Sequence, residues 1–530
     1  MEYPVESFTD SERAALAPHF TNLDRPVFAL VNLPETVKGA LFARYSRYQG
    51  TLRRLFLDEF AGDLEAGVAA AFDGAEGERA ATLYRRIFLG YGDDSVAQLG
   101  GAHVACEWVS NVMTKVLQRG RLAAYLEQST RYIAYDAPMP GERGRYRYWH
   151  HADLGRDYEA AMDHLFATYA ESLPLVERWA AQQFPRGADE PEAAHRRSIR
   201  AKALDLLRGL LPAASLSHMG MFATGQAYEQ LVLRCLASPL PEARELGAMI
   251  LTELKQVMPS FVARVERPDR GGEWVDHLTG RRRAGDRIAA RLGLDRPTAA
   301  ADSAPSVRLL SHHGSEDDLL VALLFESAAV SEAAAADAVR VLPPDERATL
   351  LAELMGERAN RRHRPGRGLE AVGYRFEVVS DYGAFRDLQR HRPLTIQWQS
   401  LMPDLGAGVP EELAAAGAAD AYRDGLERSR AEYERIAGIG RPELAPYALC
   451  LGYRIRYVLD MNAREAMHVI ELRSGREGHP AYRAVAHELH AQIARVHPAV
   501  AAAMTHVDRD NEPRLERILS EIRTSARAVS

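Results

Sequence analysis

The sequence predicts an α+β protein, helix-rich and built from two tandem units, on three observations. The stretch Gln389-Arg390-His391-Arg392, with Ser400 beyond a seven-residue gap, has an earlier counterpart in Gln118-Arg119-Gly120-Arg121 and Ser129 at the same gap. Two further segments end alike, Leu231-Val232-Leu233-Arg234 and Glu471-Leu472-Arg473. Most of the remaining chain repeats apolar residues at three and four, whereas Tyr374 to Ser380 alternates as a strand does. Paired arginines at a fixed distance from a serine suit anionic groups, because guanidinium makes bidentate, charge-assisted bonds to phosphate.

The first unit, residues 1–265, opens with helices: apolar residues recur at roughly helical spacing from Val37 and Leu41 through Leu52, Leu55 and Phe56. Tyr91-Gly92-Asp93-Asp94-Ser95 is a breaker with a plausible N-cap, after which an apolar-rich run leads to the first fork. Residues 138–155 read as loop. Tyr158 to Gln183 and His195 to Leu211 read as helices, the second broken by Pro212, with Arg208 in its last turn. Leu216 to Arg234 reads as a further helix, and Arg234, following an apolar run, requires either a salt-bridge partner or a ligand. Residues 266–316, rich in Gly, Arg, Asp, Pro and Ser, read as a linker. The second unit, residues 317–530, starts with an alanine-rich helix over Asp317 to Val341 and another after Pro343-Pro344. Beyond the strand and second fork come a long helix from about Glu411 to Ile436 and a helix from Arg454 to Arg473.

Composition narrows the class. A chain of 530 residues with 47% hydrophobic and 26% charged residues is an ordinary globular protein rather than a disordered or fibrous one. A net charge of -7 argues against a surface coated for nucleic acid. The local cluster from Arg361 to Arg367 suits either an anionic ligand or a solvated loop. The N-terminus lacks the basic and apolar regions of a signal peptide, and no apolar run is long enough to span a bilayer, so a cytoplasmic location is expected. Cys106, Cys235 and Cys450 are too few and scattered for a disulfide framework or zinc site and read as small buried residues.

These residues resemble the flavin-dependent thymidylate synthase family, whose signature is Arg-His-Arg, seven residues and Ser, usually extended by Arg-Tyr. The second copy keeps fork and serine but has Met402-Pro403 where Arg-Tyr belongs; the first ends in Ser129-Thr130-Arg131-Tyr132 but has Gly120 for the histidine. Downstream, the family pairs an upstream arginine with Asn-Ala-Arg and a later arginine. Copy one offers Arg208 and Arg234, with Thr224-Gly225-Gln226 in place of Asn-Ala-Arg; copy two offers Asn462-Ala463-Arg464, His468 and Arg473, with Pro446 at the upstream position. The resemblance spans roughly residues 85–255 and 345–495.

It implies two tandem thymidylate synthase-like domains, each with a small mixed or antiparallel sheet. It also implies reductive methylation of dUMP at C5, with FAD as cofactor and NADPH and methylenetetrahydrofolate as co-substrates. Family members are homotetramers with sites at subunit junctions, which here implies a homodimer forming a pseudo-tetramer. By the same resemblance Arg119, Ser129 and Arg131 are the catalytic set, and Glu127, Gln128, Arg208 and Arg234 join them in holding the nucleotide. Arg390, His391, Arg392, Ser400, Asn462, Arg464, His468 and Arg473 hold flavin. Two rivals share the fold: a non-catalytic nucleotide- or flavin-binding scaffold, and C5 alkylation of another pyrimidine nucleotide. A third, a metal hydrolase built on His487-Glu488-Leu489-His490 and His497, lacks the His-Glu-x-x-His spacing of a zinc helix, so no metal is expected.

Overall fold

The computed structural model describes residues 6–24, 28, 30–35, 37, 38, 41, 51–61, 98–138, 146–188, 190–295, 304–510, 512, 514–519, 521 and 522. The breaker at residues 91–95, and much of the N-terminal helical region, lie outside them. The chain divides into two units. One comprises Met1–Glu107, Val116–Glu127 and His218–Arg296; the other comprises Trp108–Lys115, Gln128–Ser217 and Pro297–Ser530. Much of the first repeat therefore packs with the second.

The repeats share one topology. In the first, β1 (Gly101–Ser110) runs into α1 (Asn111–Leu117), the fork and β2 (Ala123–Glu127). Helices α2 (Gly155–Gln183) and α3 (Glu192–Leu207) then lead to β3 (Leu216–Thr224) and α4 (Gly225–Leu236). After β4 (Ser306–His313), the second repeat answers with β5 (Gly373–Asp381), α5 (Tyr382–Leu388), the fork, β6 (Thr395–Trp398), α6 (Ala419–Gly438), β7 (Arg454–Asn462) and α7 (Ala463–Arg473). Helix α8 (Pro480–Val496) follows. The sheets have the orders β1-β3-β2 and β4-β5-β7-β6, so β5-β7-β6 reproduces the first sheet and β4 adds an edge. Forks lie 271 positions apart (119 to 390), but the residues that cap α4 and α7 only 238 (224 to 462). The difference lies in one connection: 88 residues (128–215) separate β2 from β3, and 55 (399–453) separate β6 from β7.

Two stretches expected to be single helices are each a strand, a cap and a helix. From Arg454 to Asn462 burial alternates, Ile455, Tyr457, Leu459 and Met461 facing the core, which is the period of two that a half-buried strand requires. Asn462 Oδ1 then accepts the Glu465 amide at 2.9 Å and starts α7. Thr224 does the same for α4 through the Ala227 amide. The helix expected over 411–436 is interrupted after Ala415, where Gly417 takes φ +73, a conformation that costs other residues steric strain. The alanine-rich stretch from 317 is two helices, Glu316–Leu324 and Glu332–Arg340, the second capped by Ser331.

Residues 266–316 carry a helix over Glu273–Arg291 and strand β4. The helix buries no side chain and β4 is an edge strand, so neither needed an apolar period in sequence. The expected strand at 374–380 and helix at 158–183 are present. Among the described residues no helix is long and apolar enough to cross a membrane. The fold is helix-rich with two small antiparallel sheets.

Candidate functional site

The larger unit holds a cavity of about 970 Å³ lined by seven arginines, Arg131, Arg361, Arg362, Arg390, Arg473, Arg476 and Arg517, against four carboxylates, Asp387, Glu471, Glu477 and Asp508. Both repeats supply it. Just beyond β2, Ser129 forms a tight turn: its hydroxyl accepts the Arg131 amide at 3.2 Å and its carbonyl accepts the Tyr132 amide at 3.1 Å. That turn aims Arg131 at Asp205 of α3, which accepts two N–H bonds at 2.7 and 2.6 Å, and at the Tyr482 hydroxyl of α8, 3.1 Å away. From the second repeat come Asp387 and Arg390, flanking the end of α5, and Arg473, the last residue of α7. The Tyr482 ring lies 5.9 Å from the Arg131 guanidinium and 5.5 Å from that of Arg473.

The charges are coupled. Burial alone would raise both carboxyls, but Arg131, then Arg517, bring Asp205 down to about 2, and Arg390, Arg473, Arg208 and Arg131 hold Asp387 far below its usual range. Arg208 is 4% exposed, stands 3.6 Å from Asp387 and 3.8 Å from Asp381, and leaves Nη2 without a hydrogen-bond partner among the described residues. Behind Arg473 lies His391, whose Nε2 accepts the Arg473 Nε–H at 2.9 Å. The ring is therefore neutral with its proton on Nδ1, 3.4 Å from Glu465. Burial, Arg473 and His468 all push its pKa well down. His468, edge-on to His391 at 5.4 Å, is lowered to about 4 by burial and by Arg364 and Arg361. Burial lifts Glu465 to about 7, and its Oε1 has no hydrogen-bond partner among the described residues. The cluster His391, Glu465 and His468 is compact enough for an ion, but Arg473 occupies His391 Nε2 and three arginines surround it.

The smaller unit has its own cavity, about 490 Å³, lined by Arg119, Arg121 and Arg234 with apolar walls that include Met221, Ala223 and Leu231. Here Gly120 stands where the second fork has His391. A Cβ at 120 would approach the Tyr125 hydroxyl, itself bonded to the Gly120 carbonyl, to 2.7 Å.

The sequence-predicted residues thus fall into groups. Ser129, Arg131, Arg390 and Arg473 line the large cavity; His391 and His468 stand behind it, and Arg208 is buried beside Asp387. Arg119 and Arg234 line the smaller cavity. Glu127 is buried and accepts from Gln118 at 2.9 Å, and Gln128 accepts from Arg147 at 2.9 Å. Arg392 and Ser400 are exposed, Asn462 caps α7, and Arg464 donates to the Pro365 carbonyl at 3.1 Å. His487, His490 and His497 bond to carbonyls of Asp508, Ala501 and Gly314. Asp205, Asp387, Tyr482 and Arg517 escaped sequence reasoning. Asp205 and Asp387 each lie three residues before a predicted arginine, Arg208 and Arg390, the only local hint of either.

Residues 57–260 and 308–499 match the family model described as thymidylate synthase complementing protein. A UPF0159 protein of Chlamydia muridarum is 37% identical, covering 98% of this chain and 99% of its own. Another, of Thermoplasma acidophilum, is 30% identical over 93% and 99%. The crystal structure of a UMP/dUMP methylase PolB from Streptomyces cacaoi bound with 5-Br dUMP aligns over 39% of this chain and 98% of its own, at 20% identity and a TM-score of 0.31. The chain belongs to the thymidylate synthase complementing protein family, that of the flavin-dependent thymidylate synthases, and carries the family's domain twice.

Proposed function

We propose that the large cavity binds a pyrimidine nucleotide beside FAD, and that the chain methylates dUMP at C5 with methylenetetrahydrofolate and NADPH. The observation that carries this reading is the meeting of Ser129 and Arg131 from one repeat with Arg390 and Arg473 from the other around a single arginine-rich space. The donor set fits the phosphates of both molecules. Arg473 is a part-buried cation whose pKa burial depresses, so it is stabilised by an incoming anion. Tyr132, 63% exposed on the cavity, offers an aromatic face to a ring. Flavin, when bound, supplies the hydride-carrying chemistry. The chain's own residues bind and orient: Arg131, fixed by Asp205, and Arg473, fixed by His391, hold anionic groups in place. The neutral His391 serves as an acceptor, leaving the positive charge to the guanidiniums.

Repeat two has Met402 and Pro403 where repeat one has Arg131 and Tyr132, which supports one working site per chain; a cytoplasmic homodimer belongs to the same proposal. The visible spectrum of purified protein, with calorimetry, tests this: about one flavin per chain and dUMP-dependent NADPH oxidation are expected. Colourless protein that binds neither dUMP nor UMP refutes it. A panel of pyrimidine nucleotides identifies the acceptor, and flavin binding without turnover on any of them marks a scaffold.

A further inference from the structure

The family match ends at residue 499, yet the cavity is also walled by His506, Asp508 and Arg517 from the segment beyond it. That segment is anchored: Lys202 of α3 donates to Glu516 at 2.7 Å with both side chains buried, and Arg197 donates to Glu521 at 2.7 Å. Helix α3 also carries Asp205, so the anchor and the carboxylate beneath Arg131 belong to one element.

Arg517 is placed against the turn of the first repeat. Its guanidinium lies 3.9 Å over the Tyr132 ring, donates to the Arg131 carbonyl at 3.1 Å and reaches Asp205 at 3.5 Å. Two guanidiniums, Arg131 and Arg517, therefore share one carboxylate. His479, whose ring nitrogen bonds the Asp205 carbonyl, adds no further positive charge, because burial keeps it neutral. Across the cavity wall the seven arginines outnumber the carboxylates Asp387, Glu471, Glu477 and Asp508, and an uncompensated buried cation is costly.

We propose that Arg517 is a nucleotide-binding residue which, paired with Arg131, grips the phosphate of the pyrimidine nucleotide and braces Tyr132 from behind. This rests on the nucleotide reading above and extends the site beyond the family's domain. Its occupant is a phosphate monoester, a dianion that offers Arg131 and Arg517, both on the cavity wall, a second acceptor group beside the Asp205 carboxylate they share.

The test uses full-length protein and calorimetry with dUMP, deoxyuridine and inorganic pyrophosphate, on wild type, Arg517→Gln and Arg517→Lys. Arg517→Gln is expected to weaken dUMP on the order of 10- to 100-fold, the range of one charge-assisted hydrogen bond, while deoxyuridine changes less than about twofold. Arg517→Lys keeps the charge and stem and is expected to fall between the two. Equal dUMP affinity in folded Arg517→Gln and wild type overturns the proposal, as does an equal loss for dUMP and deoxyuridine. If wild type binds no pyrimidine nucleotide, the functional reading fails separately and pyrophosphate decides Arg517: weaker binding in the variants supports the anion site. No difference, or no pyrophosphate binding by wild type, overturns it.

Discussion

Replacing Asp205 by Asn is the sharpest probe of how the cavity is held. The change keeps shape and one acceptor oxygen but removes the carboxylate that two N–H groups of Arg131 bond at 2.7 and 2.6 Å and that Arg517 approaches at 3.5 Å. The Asp205 carboxyl is held at about 2 instead of an ordinary 3.8. At about 1.4 kcal/mol per tenfold change in proton affinity, that is roughly 2 kcal/mol of stability at pH 7. Leaving two cations without their shared anion adds to it, so the expected loss lies nearer the 3–5 kcal/mol typical of breaking a buried pair, about 3 kcal/mol. The sign with pH follows from a folded pKa below the unfolded one. The contribution is complete above about 4 and is lost as pH falls through about 2, below which the carboxyl is protonated in both states. Urea unfolding of the large unit, followed by tryptophan fluorescence at pH 7, 4 and 3, measures it. A variant within about 0.5 kcal/mol of wild type at pH 7, the scatter of ordinary surface substitutions, or a gap that does not narrow in acid, refutes the reasoning.

Two further outcomes follow from the same geometry. Restoring the family histidine by Gly120→His forces a Cβ to within 2.7 Å of the Tyr125 hydroxyl, so it is expected to destabilise by roughly 1–3 kcal/mol. Combining it with Tyr125→Ile, the residue at the matching position Ile396, should recover most of the loss, and a thermal-melt double-mutant cycle showing simple additivity contradicts the account. Glu465, lifted by burial from 4.5 to about 7, penalises folding by an amount that is absent below about 4.5, grows up to about 7 and is constant above. Glu465→Gln should therefore be more stable than wild type by up to roughly 3 kcal/mol at pH 8 and no more stable at pH 4; the same difference at both pH values rules out an ionised buried carboxylate as its source.

What the sequence made legible was local. Each fork follows directly on a short helix, α1 or α5, and each serine stands two residues past a strand, β2 or β6. The spacing is the length of one helix end, turn and strand, the same in both repeats. Arg454 to Asn462 and Leu216 to Thr224 were misread because Ile, Tyr, Leu and Met at alternate places also satisfy a loose count by three and four. The caps Asn462 and Thr224, placed at the change of period, were the available correction. Asp205, Asp387 and Arg517 act through tertiary contacts, and a lone carboxylate or arginine carries no periodic signal. Arg517 reaches Tyr132 across 385 positions of chain (132 to 517), a separation that no local pattern encodes.

The departures from the family signature are not scattered. The pocket residues are Arg131 and Tyr132 from repeat one with Asp387, Arg390 and Arg473 from repeat two, backed by His391. Exchanging the repeats by the offset of 271 gives a reciprocal set in which Met402, Pro403, Val116 and Gly120 replace Arg131, Tyr132, Asp387 and His391. All four changes fall on the reciprocal set and none on the retained one, although each set draws on both halves of the chain. Independent decay of two domains would spread the changes by repeat, leaving one domain degraded. Each repeat keeps a different half of the signature, Arg131 and Tyr132 in one and His391 in the other. Tyr125 fits the same pattern: its hydroxyl bonds the Gly120 carbonyl and occupies the space a side chain at 120 would need, all within repeat one.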